Sequence, residues 1–254
     1  AQGRRPRGPL GLGTEFEYVR DYSSDDDIRQ VNWRATVRLG RPMSNQYRLD
    51  QERDVLLVID TGRLMAAPLG DRTRLDAAID AAVAVAAVAD VLGDRCGVVA
   101  FAGSIRRRLA PRRGGSRGVI EAVHDLEPVA DDSDYELAFR TVAGGKRALV
   151  LVLTDLLDEA AARSLLAAVP VLGRRHAVVI ASVADPDLVA LLRTPPARAE
   201  DAYAQAVAVE LADGRSTVVA QLGRSGASIV DTSPGQLAAA CVAAYLRLKA
   251  RARL

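Results

Sequence analysis

The feature that most constrains this chain is a repeated alternation of short, uninterrupted apolar runs with helical patterns. Val55-Leu56-Leu57-Val58-Ile59 closes on Asp60, and Leu149-Val150-Leu151-Val152-Leu153 closes on Thr154-Asp155. Gly97 to Phe101 and Ala177 to Val183 are further runs of the same kind. Runs without polar alternation suit strands covered on both faces, as in parallel sheets. The first run leads into a helix over Thr73–Leu92, with Asp71 or Thr73 as N-cap and Gly93 after its end. Further helices are expected over Ser116–Leu126, Tyr135–Val142, Glu159–Val169, Ala199–Ala212 and Gln236–Ala250. Ser104–Leu109 pairs with the second run through a hairpin at Gly103, and Ser228–Val230 supplies a last strand. Such alternation predicts an α/β fold, a doubly wound and mostly parallel sheet over residues 54–254. Residues 1–53 are rich in Arg, Gly, Asp and Ser, hold the single Trp, and form an N-terminal arm.

Composition narrows the function classes. Hydrophobic residues make up 49% of the 254 positions, which excludes a disordered chain. Lys+Arg (34) nearly balance Asp+Glu (32), so a generally basic nucleic-acid binder is excluded as well. All the basic residues except Lys146 and Lys249 are arginine, the side chain suited to fixed planar ion pairs. Cys96 and Cys241 sit in apolar surroundings and read as small buried hydrophobes in a reducing compartment. The longest apolar stretch, Ala81 to Ala89, is far short of the roughly 20 residues of a membrane span. The expected setting is cytoplasmic; the chain opens on Ala1 rather than Met, which reads as processed or excised, with a membrane anchor supplied by residues upstream.

In a sheet of this type ligands approach the carboxyl ends of the strands, where Asp60 and Asp155 fall. Asp60-Thr61-Gly62 lacks the second Asp that a haloacid-dehalogenase-type phosphatase needs as general acid. Gly144-Gly145-Lys146-Arg147 lacks the first Gly and the hydroxyl of a phosphate-binding loop, and it precedes a strand. Gly11-x-Gly13 does not follow a strand, which removes a dinucleotide fingerprint. The metal-ion-dependent adhesion site of von Willebrand factor A-like domains uses Asp-x-Ser-x-Ser, a later hydroxyl and a further Asp. Here Asp60, Ser133 and Asp155 match that set, while Gly62 and Leu64 replace both serines and Arg63 lies nearby. Hard oxygen ligands of this kind suit Mg²⁺, and losing two of them weakens binding, so no resident cofactor is expected.

Two stretches then carry a family resemblance. Glu15-Phe16-Glu17-Tyr18-Val19-Arg20-Asp21-Tyr22 is followed by Asp26-Asp27-Ile28-Arg29-Gln30-Val31-Asn32-Trp33-Arg34-Ala35-Thr36-Val37-Arg38. The pattern resembles the signature of the bacterial family known as domain of unknown function 58. It continues through Glu52-Arg53-Asp54, Asp60, Ser133-Asp134-Tyr135, Thr154-Asp155 and Tyr245-Leu246-Arg247-Leu248-Lys249. Ser24 and Asp25 stand where the family usually has Pro-Gly, and Asn32 where it usually has Asp. The resemblance implies a von Willebrand factor A-like fold, partnership with a MoxR-type AAA+ ATPase in chaperone-like or assembly work, and frequent membrane attachment ahead of this domain.

Read physically, Ser24 would cap a helix with Asp25, Asp26 and Asp27 in its first turn and Arg29, Arg34 and Arg38 further along. Ile28, Val31 and Trp33 would anchor it, and Arg20, Asp26, Asp27 and Arg29 would offer a charged docking surface. From Gly103 to Gly118 there are six arginines (Arg106, Arg107, Arg108, Arg112, Arg113, Arg117) and no acid. Lacking interleaved aromatics, they read as charge protection of a hairpin edge rather than a nucleic-acid site. His124 and His176 have no partners at metal spacing and read as structural. The expectation is a non-enzymatic interaction module presenting Asp60, Thr61, Arg63, Ser133, Asp134 and Asp155 to an ATPase and an unknown client. Two alternatives stand beside it. One is a metal-dependent phosphohydrolase using Asp60 and Asp155, the other an adaptor for anionic polymers or membrane surfaces through the Arg106–Arg117 hairpin.

Overall fold

A computed structural model describes residues 10–11, 15–23, 26, 28–48, 53–156 and 159–250. The chain divides into two compact units, Ala1–Glu52 and Arg53–Leu254.

In the first unit β1 (Leu10–Gly11), β2 (Glu15–Asp21) and β3 (Met43–Arg48) form an antiparallel sheet in the order β1-β3-β2. Between β2 and β3 lie a 3₁₀ turn (Ile28–Gln30) and helix α1 (Trp33–Leu39). The expected single helix from Ser24 is therefore replaced by two short pieces, separated by a bridge from Val31 to Ser44. Helix α1 is capped by Asn32, whose side chain accepts from the Ala35 N–H, and it ends on Gly40 at φ 67°. Asn32 also donates from Nδ2 to Asn45 Oδ1 at 2.7 Å, a bond that Asp in its place would be unable to make. Ile28 and Trp33, expected as anchors, are 69% and 66% exposed.

The second unit begins with β4 (Asp54–Asp60), buried along its whole length. A 3₁₀ turn (Arg63–Ala66) and a two-rung ribbon, β5 (Pro68–Leu69) and β6 (Arg72–Thr73), lead to α2 (Arg74–Val91). Thr73 caps α2 in a capping box with Asp76. Next come β7 (Arg95–Phe101), β8 (Ile105–Arg112), α3 (Gly115–Val123), α4 (Tyr135–Ala143) and β9 (Ala148–Leu153). They are followed by α5 (Glu159–Gly173), β10 (Ala177–Val183), α6 (Pro186–Arg193), α7 (Ala199–Arg224), β11 (Ser228–Thr232) and α8 (Leu237–Ala250).

The sheet order is β11-β10-β9-β4-β7-β8, parallel throughout except for β8 at one edge. Side chains alternate across it, as strand geometry requires. Val55, Leu57 and Ile59 pack with α2, α3 and α8, while Leu56 and Val58 pack with α4, α5 and α7. With aromatics scarce, Ala78, Ala81, Ala82, Ala86 and Ala89 let α2 lie close to the sheet. Gly97 serves the same closeness within the sheet. A Cβ there would meet the Leu109 carbonyl oxygen at 2.5 Å, and the ladder to β8 is irregular at that point.

Two elements differ from expectation. Asp185-Pro186 starts α6, with Asp185 accepting from Asp187 and Leu188 N–H groups and Pro186 in the first turn. Helix α7 does not stop near Ala212 but runs through Gly214 to Arg224. Burial of Arg215 and Leu222 beyond the glycine outweighs its helix penalty of about 1 kcal/mol.

Candidate functional site

The carboxyl ends of β4 and β9, neighbours in the sheet, bring Asp60 and Asp155 together as expected, but neither faces solvent. Asp60 is 2% and Asp155 3% exposed. Asp60 Oδ1 accepts from the Gly62 N–H at 2.8 Å and from Ser133 Oγ at 2.5 Å. Its Oδ2 accepts from Tyr135 OH and Thr154 Oγ1, each at 2.7 Å. Hydrogen bonding of this density stabilises a buried carboxylate without a counter-ion. Tyr135 is itself fixed at the start of α4 by edge-to-face contact with Phe101, ring centroids 5.4 Å apart.

Asp155 is held differently. Arg74, from the first turn of α2, forms an ion pair with its Oδ2. Arg215, from the interior of α7, approaches its Oδ1 at 3.5 Å. Arg74 also donates to Asp185 Oδ2 at 2.8 Å. Arg215 donates to Asp231 Oδ1 at 2.6 Å, and to Ser182 Oγ and the Val183 carbonyl at 2.9 Å each. Burial lowers the Arg74 pKa, with the Asp185 charge opposing that effect and the Arg215 charge adding to it. The cavity beside these groups, lined in part by Arg74, Thr154, Asp155 and Ser182, has a volume of about 10 Å³. That is room for about one water molecule and no substrate.

The remaining expected residues divide into buried and exposed. Thr61 is fully buried, with both its Oγ1 and its N–H donating to the Phe101 carbonyl. Asp134 is exposed and caps α4 through the Leu137 N–H. Arg63 reaches over the rim to Asp132, and their side chains are 53% and 81% exposed. In the first unit Arg20 donates to Asp26 Oδ1 at 2.5 Å, while Asp26 Oδ2 accepts from the Ser23 N–H, so this pair ties its own loop. Asp27 and the side chain of Arg29 lie outside the described residues.

The Mg²⁺ set of Asp60, Ser133 and Asp155 does not fit a metal. Asp155 is neutralised by two guanidinium groups, which a cation beside it would have to displace. A Cβ on Gly62 would lie 2.1 Å from Ser133 Oγ, so the missing serine has no room where Ser133 stands. Among the described residues, no cluster of three or more His, Cys, Asp or Glu side chains is placed to hold an ion.

Sequence reading missed Arg74, Arg215, Asp185, Asp231 and Ser182. One signal was available. Arg74 follows the cap of α2 directly, and a cation in the first turn of a helix opposes the dipole unless something else compensates it.

In the arginine-rich hairpin, Arg107 pairs with Asp125 at 3.0 Å and Arg117 with Glu121 at 2.9 Å. Arg106 donates to the Glu127 carbonyl, and the Arg112 guanidinium lies over Gly118.

Comparison with known proteins bears on the fold and the family. Over 104 residues the chain is 29% identical to an uncharacterized protein of Mycobacterium tuberculosis, Rv1480. That match spans 41% of this chain and only 33% of the relative. The conserved hypothetical protein BatB of Bacteroides thetaiotaomicron superposes with a TM-score of 0.51 at 15% identity, covering 80% of this chain and all of that one. A von Willebrand factor type A structure from Catenulispora acidiphila gives 0.47 at 17% identity, covering 78% of this chain and 43% of that one. The fold is von Willebrand factor A-like. The model of the family described as "Protein of unknown function DUF58" matches residues 18–215, and this chain belongs to that family.

Proposed function

We propose that this protein is a non-enzymatic protein-interaction module whose recognition surface is the exposed rim above the carboxyl ends of the strands. The observation that carries this reading is the complete internal engagement of Asp60 and Asp155. Burial and bonding of this kind disfavour a role as nucleophile or metal ligand, and the cavity beside Asp155 is of water size. What faces solvent is the rim: Arg63, Asp131, Asp132 and Asp134, held in place by the network below. Membership of the family and the von Willebrand factor A-like fold support an interaction role. The partner in this reading is a MoxR-type AAA+ ATPase, which supplies the nucleotide chemistry for which this sequence has no motif. No described helix is long and apolar enough to cross a membrane. Membrane association belongs, in this proposal, to residues outside the chain.

The test is binding of a purified MoxR-type ATPase, with and without ATP, to the wild-type chain and to Arg63→Glu/Asp132→Arg/Asp134→Arg. A loss of at least tenfold in affinity is expected, while the lost cap of α4 lowers the melting temperature by only a few degrees. Undiminished binding by the triple variant overturns the assignment of the face, and no binding by the wild-type chain overturns the partner.

A further inference from the structure

We infer that Arg74 and Arg215 take the electrostatic place of a divalent cation, so that this end of the fold is closed by the chain's own charges and works without metal. The inference concerns the buried network alone and holds whatever protein binds the rim.

Asp155 gives one oxygen to each arginine, and the two arginines come from helices on opposite faces of the sheet. Further donors reach Asp185 at the start of α6 from Arg74, and Ser182, Val183 and Asp231 at the ends of β10 and β11 from Arg215, while Arg74 Nε is buried without a hydrogen-bond partner among the described residues. A cation bridging loops at the carboxyl edge of a sheet would make connections of this kind. Here two fixed charges make them for three carboxylates.

The arginines are 4% and 8% exposed, far too buried to be ordinary surface ion pairs. Guanidinium stays protonated at every pH a folded protein meets, so each must be compensated where it sits. Arg74 additionally stands against the dipole of α2, a placement that the facing carboxylates of Asp155 and Asp185 offset. The cavity on the Arg74 side of Asp155, about 10 Å³, fits one water and not a metal with its hydration shell. Gly62 and Leu64 supply no hydroxyl in the loop where a metal site would need two.

The experiment is a cation titration of the whole chain after dialysis against EDTA. Free Mn²⁺ is followed by electron paramagnetic resonance, and thermal unfolding is followed with EDTA or with millimolar MgCl₂. No saturable Mn²⁺ uptake and the same melting temperature in both buffers are expected. Uptake of one Mn²⁺ per chain, abolished by Asp155→Asn and accompanied by a rise of several degrees with Mg²⁺, overturns the inference. A double-mutant cycle tests the arginine half. Arg74→Met should lower the melting temperature, and adding Asp155→Asn should lower it by less than the two single losses together. Strict additivity would mean the arginine is not there for Asp155. Should Arg74→Met fail to fold, the titration of the wild-type chain decides the matter.

Discussion

At the scale of single residues, the buried carboxylates set what can change. Tyr135→Phe removes one hydroxyl from Asp60 and leaves the ring contacts with Phe101 in place. A hydrogen bond to a charged group is worth about 1.5–3 kcal/mol, and urea unfolding should register a loss in that range. Gly62→Ala places a methyl group against Ser133 Oγ, also 3.0 Å from the Asp131 carbonyl oxygen. It should destabilise by about 1–3 kcal/mol, and Ser133→Ala in the same chain should recover part of the loss. If Gly62→Ala is neutral in the wild-type background, the loop is looser than its packing implies.

Among elements, the C-terminal helix α8 is fixed by a titratable cluster of its own. Asp94 accepts from Tyr245 OH, from Lys249 Nζ at 2.5 Å and from the Arg53 N–H at 3.1 Å. Burial, and then Asp94, pushes the Tyr245 pKa up, and burial pushes the thiols of Cys96 and Cys241 up to about 12. These groups are protonated in the folded chain at pH values where the unfolded chain has lost the protons. Their contribution is complete below the unfolded pKa values, about 8.5 for a thiol and 10 for tyrosine, and is lost as pH rises above them. Each group then removes up to about 1.4 kcal/mol per pH unit. Stability should therefore fall from about pH 9 upward. Cys241→Ala should flatten the first part of the decline and Tyr245→Phe the part above pH 10, as measured by urea midpoints across pH 7–11. His176 acts on the acid side. Burial lowers its pKa, so its contribution is present above the unfolded value of about 6.5 and lost as pH falls below it.

For the molecule as a whole, the arginines of β8 are best read as guards of an open sheet edge. β7 occupies one side of β8, and β8 ends the six-stranded sheet. Arg108 and Arg112 are exposed on it. Exposed edge strands invite pairing with other chains, and charge suppresses that. Arg108→Val/Arg112→Val should leave the melting temperature of dilute protein nearly unchanged and promote self-association, measured by light scattering after size-exclusion chromatography. An anionic-polymer adaptor would behave otherwise. It would bind heparin with a steep salt dependence that this variant loses, and weak wild-type binding that vanishes near physiological salt argues against that role.

The amino-acid sequence alone determined the layered α/β architecture of the second unit, but not the three-stranded sheet of the first. Continuous apolar runs of strand length, alternating with helical patterns, suit a sheet covered on both faces, so most of the order of strands and helices and the position of Asp60 and Asp155 at strand ends were legible. Local signals also narrowed the cap of α2 to Asp71 or Thr73 and placed a hairpin turn at Gly103. The tertiary structure decided the electrostatic state of the site. Arg74, Asp155, Asp185, Arg215 and Asp231 are scattered over more than 150 positions, and no periodicity marks a buried ion pair between helices on opposite faces of a sheet. The extent of α7 was hidden for the same reason. Local propensity ends the helix near Gly214, and the continuation depends on burial of Arg215 and Leu222 that exists only once the sheet is assembled. Burial is a property of the packed chain, and it turned two strand-end carboxylates from a solvent-facing pair into the interior support of an exposed rim.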